Sequence, residues 1–141
     1  MLNDYRVSMG SGKTPQRGFM KIFMEVEMKI RRLEDCQKTA VTAQGALKAF
    51  RQVPIGKAEG APNFSMRVFT LEPGGHTPHH SHESEHLNYV ISGFGEVMEG
   101  DTPREIREGD FIFVPPLQRH QYRNTGKGPL VLMCAVPSKF E

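Results

Sequence analysis

After Gly45, the chain is a series of short, mostly apolar segments separated by glycine-, proline- and asparagine-containing turns. The segments predict strands at residues 46–53, 64–71, 79–82, 87–91, 95–99, 111–114, 120–123 and 130–136. A turn is predicted at residues 72–75, and no long segment shows the spacing of an amphipathic helix. Many short strands with frequent turns predict an all-β sandwich or barrel.

The N-terminal part has a different pattern. Residues 1–18 are polar and without periodicity, which is typical of a flexible tail. In residues 20–30, apolar side chains alternate with mostly charged ones, which predicts a half-buried strand, although a helix with one apolar face remains open. We therefore divide the chain into a tail and possible exchanged edge strand at residues 1–28 and a single domain at 29–141.

Four histidines carry the clearest chemical signal. His80 and His82 are two residues apart and would share one face of a strand. His86 lies four residues after His82, a distance that leaves space for a short turn between them. His120 lies beyond a Gly-Asp turn and a double proline. Imidazole nitrogen binds zinc, iron, nickel, copper and manganese, so four converging histidines predict a metal site.

Two groups of residues occur in the order and at the spacing of the two cupin motifs. They are Gly74, His80, His82, His86 and Gly93 in the first, and Gly109, Pro115, His120 and Asn124 in the second. The chain therefore resembles a small single-domain cupin, or monocupin, over about residues 46–137. Leu117 stands where this family often has glycine. The resemblance implies a jelly-roll β-barrel that binds metal through His80, His82, His86 and His120.

The third ligand position departs from the commonest cupin pattern. It usually holds a glutamate, and here it holds His86, preceded by Glu85. This pattern resembles the four-histidine subgroup of small monocupins, whose neutral ligands leave the full charge on the ion. Glu85 is the alternative ligand, but a shift of one residue on a strand turns its side chain away. We expect one divalent ion per chain, manganese or iron first, with zinc or nickel as alternatives.

Two residues are candidates for substrate contacts. Arg67 is the only charged residue of the predicted strand 64–71, and it would either hold a substrate carboxylate inside the barrel or lie on the surface. Cys134 would line the pocket by analogy with the subgroup, or be a buried structural thiol. His76 and His79 are expected at the rim, outside the ligand set, and Asn124 is expected to close a turn.

Composition narrows the functional classes. With 141 residues the chain is long enough for one core, and no apolar run is long enough to cross a membrane. Residues 1–57 carry 11 Lys and Arg against 5 Asp and Glu, but they contain no recognisable recognition helix, so no nucleic-acid partner is expected. Cys36 and Cys134 fit no disulfide or metal spacing, which indicates a reducing compartment and a cytoplasmic protein.

Two functions fit these observations. The first is a metal-dependent oxygenase, or a related lyase or isomerase, acting on a small organic molecule that is either neutral or anionic. The second is a non-catalytic module that binds or senses a small molecule, since one fold hosts many functions. A homodimer is expected, with the predicted strand at 20–30 as the exchanged edge.

Overall fold

The structure is a computed structural model that describes residues 27–141. This part contains nine β-strands and three short 3-10 helices. The strands are β1 (Thr39–Ala40), β2 (Leu47–Ile55), β3 (Phe64–His76), β4 (His86–Ser92), β5 (Phe94–Glu99), β6 (Thr102–Arg107), β7 (Phe111–Val114), β8 (His120–Arg123) and β9 (Leu130–Pro137). The 3-10 helices cover Leu33–Asp35, Lys57–Glu59 and Ser138–Phe140. No helix among residues 27–141 has the length and hydropathy needed to span a membrane.

All strand pairs are antiparallel, and seven strands follow the order β6-β5-β8-β3-β9-β4-β7, with β2 pairing to both β1 and β3. The sheet curls on itself, as shown by side chains from seven strands that meet in one buried apolar cluster. The cluster consists of Ala49, Leu71, Val90, Val97, Ile106, Tyr122, Leu130 and Leu132. The predicted all-β jelly-roll barrel is therefore confirmed.

The ladder between β3 and β9 runs through the length of the barrel interior. It pairs Phe64 with Pro137 at one end and Leu71 with Leu130 at the other. Buried and half-buried residues alternate along β9, so every second side chain faces inward. The inward pairs change from Arg67 with Cys134 to Leu71 with Leu130 along the same two strands. One end of the interior is therefore apolar and the other is not.

Seven of the eight predicted strands are present, six of them with small changes or none at their ends and β3 with an extension of five residues. The predicted strand at 79–82 is wrong, because only His80 makes a bridge, to His120. Pro78 precedes this segment and offers no backbone N–H to a ladder, so the chain continues as a loop. The loop still brings His80 and His82 side by side, with ring centroids 5.1 Å apart.

The predicted turn at 72–75 is also wrong. β3 continues through it to His76, which pairs with Leu47 on β2 and with Arg123 on β8. Gly74 has a φ of 78°, and this left-handed residue lets the strand bend without ending.

Two strands were not predicted. β1 has only two residues, too few for a sequence pattern. β6 contains Pro103 and three charged residues, and five of its six side chains are exposed. It lies at the end of the strand order, where charge and proline are tolerated because one edge stays unpaired.

The predicted strand at 20–30 falls outside the described residues except for 27–30. These four form no strand, and Met28 and Ile30 are exposed. The chain then packs against the outside of β2, where the Gln52 side-chain amide donates to the carbonyl oxygens of Leu33 (2.7 Å) and Cys36 (2.9 Å).

Asn124 closes a turn after β8, as expected. Its amide nitrogen donates to the carbonyl oxygens of Leu71 (2.7 Å) and Gly128 (2.8 Å), and its side-chain oxygen accepts from Gly126 N (2.9 Å). The side chain thus joins this turn to the end of the core.

Candidate metal centre

Three loop or strand-end segments bring the four histidines together. His80 and His82 lie on the loop between β3 and β4, whereas His86 begins β4 and His120 begins β8. His80 and His120 exchange two backbone hydrogen bonds, of 3.1 and 2.9 Å. The Leu117 N–H donates to the carbonyl oxygen of His82 at 2.8 Å. Backbone contacts therefore fix the positions of the loops that carry the rings.

One ring nitrogen from each of His80, His82 and His120 lies within 4.8 Å of the other two. The His86 ring stands against the same group, with its centroid 4.5 Å from that of His82 and 5.1 Å from that of His120. His86 Nε2 and His82 Nε2 are 2.6 Å apart. Two imidazole nitrogens at this distance form a hydrogen bond in which one donates and the other accepts. The structure thus brings all four predicted residues into one cluster.

The outer ring nitrogens have partners of their own. His120 Nδ1 donates to the carbonyl oxygen of Gln118 at 2.8 Å. His82 Nδ1 contacts Ser84 Oγ at 3.1 Å, and His86 Nδ1 contacts Cys134 Sγ at 3.0 Å. Such outer contacts fix the tautomer and orientation of a ligating imidazole and leave Nε2 free. The cluster is thus suited to hold a cation.

Burial favours the neutral form of three of the rings, those of His80, His86 and His120. It lowers the pKa of His86 to about 3, with further lowering by the nearby His82, His120 and Arg67. The pKa of His80 is lowered to about 4, first by burial and then by His120 and His82. Burial also lowers the pKa of His120, against an opposing effect of its bond to Gln118. At neutral pH these imidazoles therefore keep lone pairs available for a metal ion.

The histidines lie at one side of a cavity of about 490 Å³. Phe69, Leu132 and Tyr122 form part of its apolar wall. The Tyr122 hydroxyl donates to Asn88 Oδ1 at 3.0 Å, and burial raises the pKa of this phenol. Among the described residues, the only lining side chains with a full charge are Arg51 and Arg67. The cavity can therefore enclose a small organic molecule in positively charged surroundings.

Arg67 faces the cavity, which decides between the two orientations left open by the sequence. Its side chain is buried, and one terminal nitrogen contacts the Phe140 carbonyl oxygen at 3.3 Å. Cys134 is fully buried between Arg67 and His86, with Sγ 3.5 Å from the other terminal nitrogen of Arg67. The structure thus places Cys134 behind His86, where it contacts a candidate ligand.

The remaining histidines and Glu85 lie outside the cluster. His79 Nε2 contacts the Gly100 carbonyl oxygen at 2.8 Å, and His76 contacts Thr77 and Gln121. Glu85 is exposed. The contacts of Ser84, Gln118 and Leu117 were missed by sequence reasoning, and the last two involve backbone atoms, which leave no residue-type signal.

The family model for the cupin domain matches residues 67–136. A cupin 2 domain-containing protein from Halorhodospira halophila is 33% identical, with 70% of this chain and 68% of that chain covered and a TM-score of 0.60. The structure of the polyketide cyclase RemF from Streptomyces resistomycificus is 27% identical, with 79% and 80% covered and a TM-score of 0.76.

Among curated proteins, Protein SchB from Streptomyces halstedii is 38% identical over 68 residues. This alignment covers 48% of this chain and 49% of SchB, so the chain spans about half the length of that relative. The barrel, the histidine cluster and these matches agree with one another, and the chain belongs to the cupin family.

Proposed function

We propose that this protein is a metal-dependent enzyme that converts a small organic molecule with an enolisable carbonyl group, by a lyase- or isomerase-type reaction such as cyclisation. The observation that carries the proposal is the cluster of imidazole side chains beside the cavity. The similarity to RemF, which is described as a polyketide cyclase, supports this reaction class over dioxygen chemistry.

His80, His82, His86 and His120 would hold one divalent ion, as in the four-histidine subgroup. Two contacts support His86 as the fourth ligand. Its Nε2 lies 2.6 Å from Nε2 of His82, and its Nδ1 points away from the cluster and contacts Cys134. When bound, the ion would supply Lewis acidity towards a carbonyl or enolate oxygen, and iron or manganese would add reactivity towards dioxygen.

The protein side chains would bind and orient the substrate and exclude water. Phe69 and Leu132 offer apolar surface beside the histidines. Tyr122 stays protonated, because its pKa is raised, and it donates to Asn88 rather than acting as a base. Within the described part of the chain, the cavity lining contains no Asp or Glu. A cavity lining without a carboxylate does not suit a reaction that needs a protein carboxylate as the base. It favours a substrate that has an acidic C–H group of its own.

The first test is elemental analysis of untagged protein, with His120→Ala and the control His79→Gln. We expect about one divalent ion per chain in the wild type and in His79→Gln, and its loss in His120→Ala. His79 is a suitable control because it lies outside the cluster. A wild type that takes up no metal on reconstitution would refute the proposal.

The second test measures enolisation itself. The metal-loaded protein is incubated with 1-tetralone in deuterated buffer under argon, and exchange of the α-hydrogens is followed by NMR. We expect exchange that requires metal and is lost in His120→Ala. Consumption of oxygen with no anaerobic exchange would instead indicate an oxygenase, and ligand binding without either reaction would indicate a binding or sensing module.

The proposed assembly is a homodimer formed by the outer face of β4 and β7. Phe111, Phe113 and Leu87 are 84%, 59% and 51% exposed, and Leu87 pairs with Phe113. The Phe111 ring contacts the Tyr89 ring, with centroids 4.7 Å apart and ring planes tilted by 47°. The outward positions of both strands carry no charge, so the same face of a second copy is a chemically complementary partner.

Light scattering on Phe111→Asp tests this interface, with Phe64→Asp as a matched control that is 67% exposed elsewhere. We expect a dimer for the wild type and the control, and a monomer for Phe111→Asp. A Phe111→Asp dimer that dissociates when residues 1–26 are removed would place the interface at the N-terminal extension.

The proposed location is a reducing compartment, the cytoplasm, because Cys36 and Cys134 are both free thiols.

A further inference from the structure

Among residues 27–141, Arg67 is a buried cation without a counterion. The residue is 9% exposed, and its Nε has no hydrogen-bond partner in this part of the chain. Its terminal nitrogens contact neutral groups there at long distances, the Phe140 carbonyl oxygen at 3.3 Å and Cys134 Sγ at 3.5 Å. The guanidinium carbon lies 5.2 Å from the centre of the Phe69 ring, which holds the group against the cavity wall.

Other arginines in the described part of the chain differ from Arg67. Arg31, Arg104 and Arg123 form ion pairs with Glu59, Glu99 and Glu96, and all three are more exposed. Burying a charge without an opposite charge is costly, so a buried arginine with no acidic partner in the described protein is a candidate site for an anionic ligand. Among the residues that the structure describes, the lining of the cavity beside Arg67 contains no acidic side chain that could fill this role.

We infer that Arg67 binds a carboxylate of the substrate, so that the substrate of the proposed enzyme is an organic acid. That the bound acid is a substrate rests on the proposed function. The binding of a carboxylate by Arg67 does not depend on a metal ion. Arginine binds a carboxylate with two parallel hydrogen bonds, and these would replace the long contacts that its terminal nitrogens make now.

The position of Arg67 also limits where the acid lies in the molecule. Arg67 contacts Cys134, and Cys134 contacts His86, so only one side chain separates the guanidinium from the histidine cluster. A carboxylate on Arg67 would therefore place nearby carbon atoms of the same molecule beside the histidines. The expected substrate is an acid whose reactive carbonyl group lies a few bonds from its carboxylate.

The test compares 2-naphthoate with 2-naphthamide, which has nearly the same shape but no charge. Binding is measured by isothermal titration calorimetry on the protein as purified and after treatment with a chelator. In the wild type we expect naphthoate to bind at least about tenfold more tightly than naphthamide in both preparations. In Arg67→Met the preference should fall to about twofold or less.

Arg51→Met is the matched control, because it removes a second arginine from the same cavity. Arg51 lies close to the carboxylate of Glu141, whose pKa is lowered first by a hydrogen bond from Ser65 and further by Lys57 and Arg51. Its charge is thus already partly compensated, and Arg51→Met should keep most of the preference. Thermal unfolding checks that each variant folds. If Arg67→Met does not fold, Arg67→Lys should still reduce the preference severalfold, because one ammonium cannot make the paired bonds.

The outcomes separate this inference from the metal proposal. A wild type without a preference in chelator, or an Arg67→Met variant that keeps it, overturns the carboxylate site. A preference that appears only with metal and survives Arg67→Met means that the carboxylate binds the ion, which supports the metal and contradicts Arg67. A preference lost in Arg67→Met in a protein that binds no metal supports Arg67 and refutes the metal-dependent enzyme.

Discussion

β3 and β9 line both ends of the barrel interior, but the two ends differ in chemistry. At the apolar end, Leu71 and Leu130 are fully buried within the hydrophobic cluster. Four residues away on each strand, at the histidine end, Arg67 and Cys134 occupy equivalent inward positions and lie next to His86. The same ladder therefore carries a packed core at one end and a polar cavity at the other. We infer that stability is concentrated at the apolar end, so that the histidine end is free to place polar groups that a core would exclude.

The largest expected effect separates the two ends directly. Leu71→Ala removes a fully buried side chain from the core and should lower the free energy of unfolding by about 2–5 kcal/mol. Metal stoichiometry should stay at the wild-type value. His120→Ala should do the reverse: it should abolish metal binding and lower the unfolding free energy of the chelator-treated protein by less than Leu71→Ala does, because the His120 ring lines the cavity and not the packed core. Urea unfolding and elemental analysis of both variants measure the two effects.

Equal losses of stability in the two variants would contradict the division. In that case, the histidine cluster would also be part of the structural core, and its polar side chains would stabilise the barrel without metal.

The next effect concerns the contact between Cys134 and His86. Cys134→Ala removes the partner of His86 Nδ1 and should weaken metal binding by about tenfold to a hundredfold. Cys134→Ser should recover part of this loss, because a hydroxyl also forms the contact. Metal affinity is measured by competition with a chromophoric chelator.

Cys36→Ala is the matched control, because Cys36 is also a buried free thiol but packs on the outside of β2. It should leave metal affinity unchanged. Equal weakening in both alanine variants would mean that the loss of a buried thiol disturbs the barrel in general.

The third effect is a pH dependence that comes from the histidine end alone. The folded-state pKa values of His80 and His86 are lowered to about 4 and about 3, mainly by burial, whereas an unfolded histidine titrates near 6.5. Between these values, the unfolded chain binds more protons, so metal-free protein should lose stability as the pH falls from 7 to 5.

Urea unfolding in chelator at several pH values measures this slope. His86→Gln should flatten it, whereas Leu71→Ala should lower stability at every pH without changing the slope. An unchanged slope in His86→Gln would mean that other groups cause the acid sensitivity.

The same contrast explains what the sequence could predict. The four histidines were found because their spacing and flanking glycines form motifs, and seven strands were found because their apolar segments lie between turns. The contacts behind the ligands were missed, because Gln118 and Leu117 contribute backbone atoms whose positions depend on the loop conformation. β6 was missed because an exposed edge strand needs little apolar pattern. The orientation of the Arg67 side chain could be determined only from the structure of the barrel, because a single charged residue in a strand can lie on either face of the sheet.

The smallest expected effect concerns two residues in the left-handed backbone region, one near each end. Leu117 has a φ of 66° between β7 and β8, and Lys48 has a φ of 46° at the β2 bulge beside Ala49 of the core. A side chain in this region costs about 1 kcal/mol, and glycine removes this cost but loses more entropy on folding. Leu117→Gly and Lys48→Gly should therefore each raise the unfolding free energy by less than about 1 kcal/mol.

Metal affinity should stay unchanged in both variants, because the contact of residue 117 with His82 uses its backbone N–H, at 2.8 Å, and not its side chain. Urea unfolding and the chelator competition assay check both statements. A drop in metal affinity confined to Leu117→Gly would show that stiffness of this loop, beyond its hydrogen bond, keeps the histidine end in place. The left-handed leucine would then serve the metal site at a small cost in stability, in contrast to Lys48 at the apolar end.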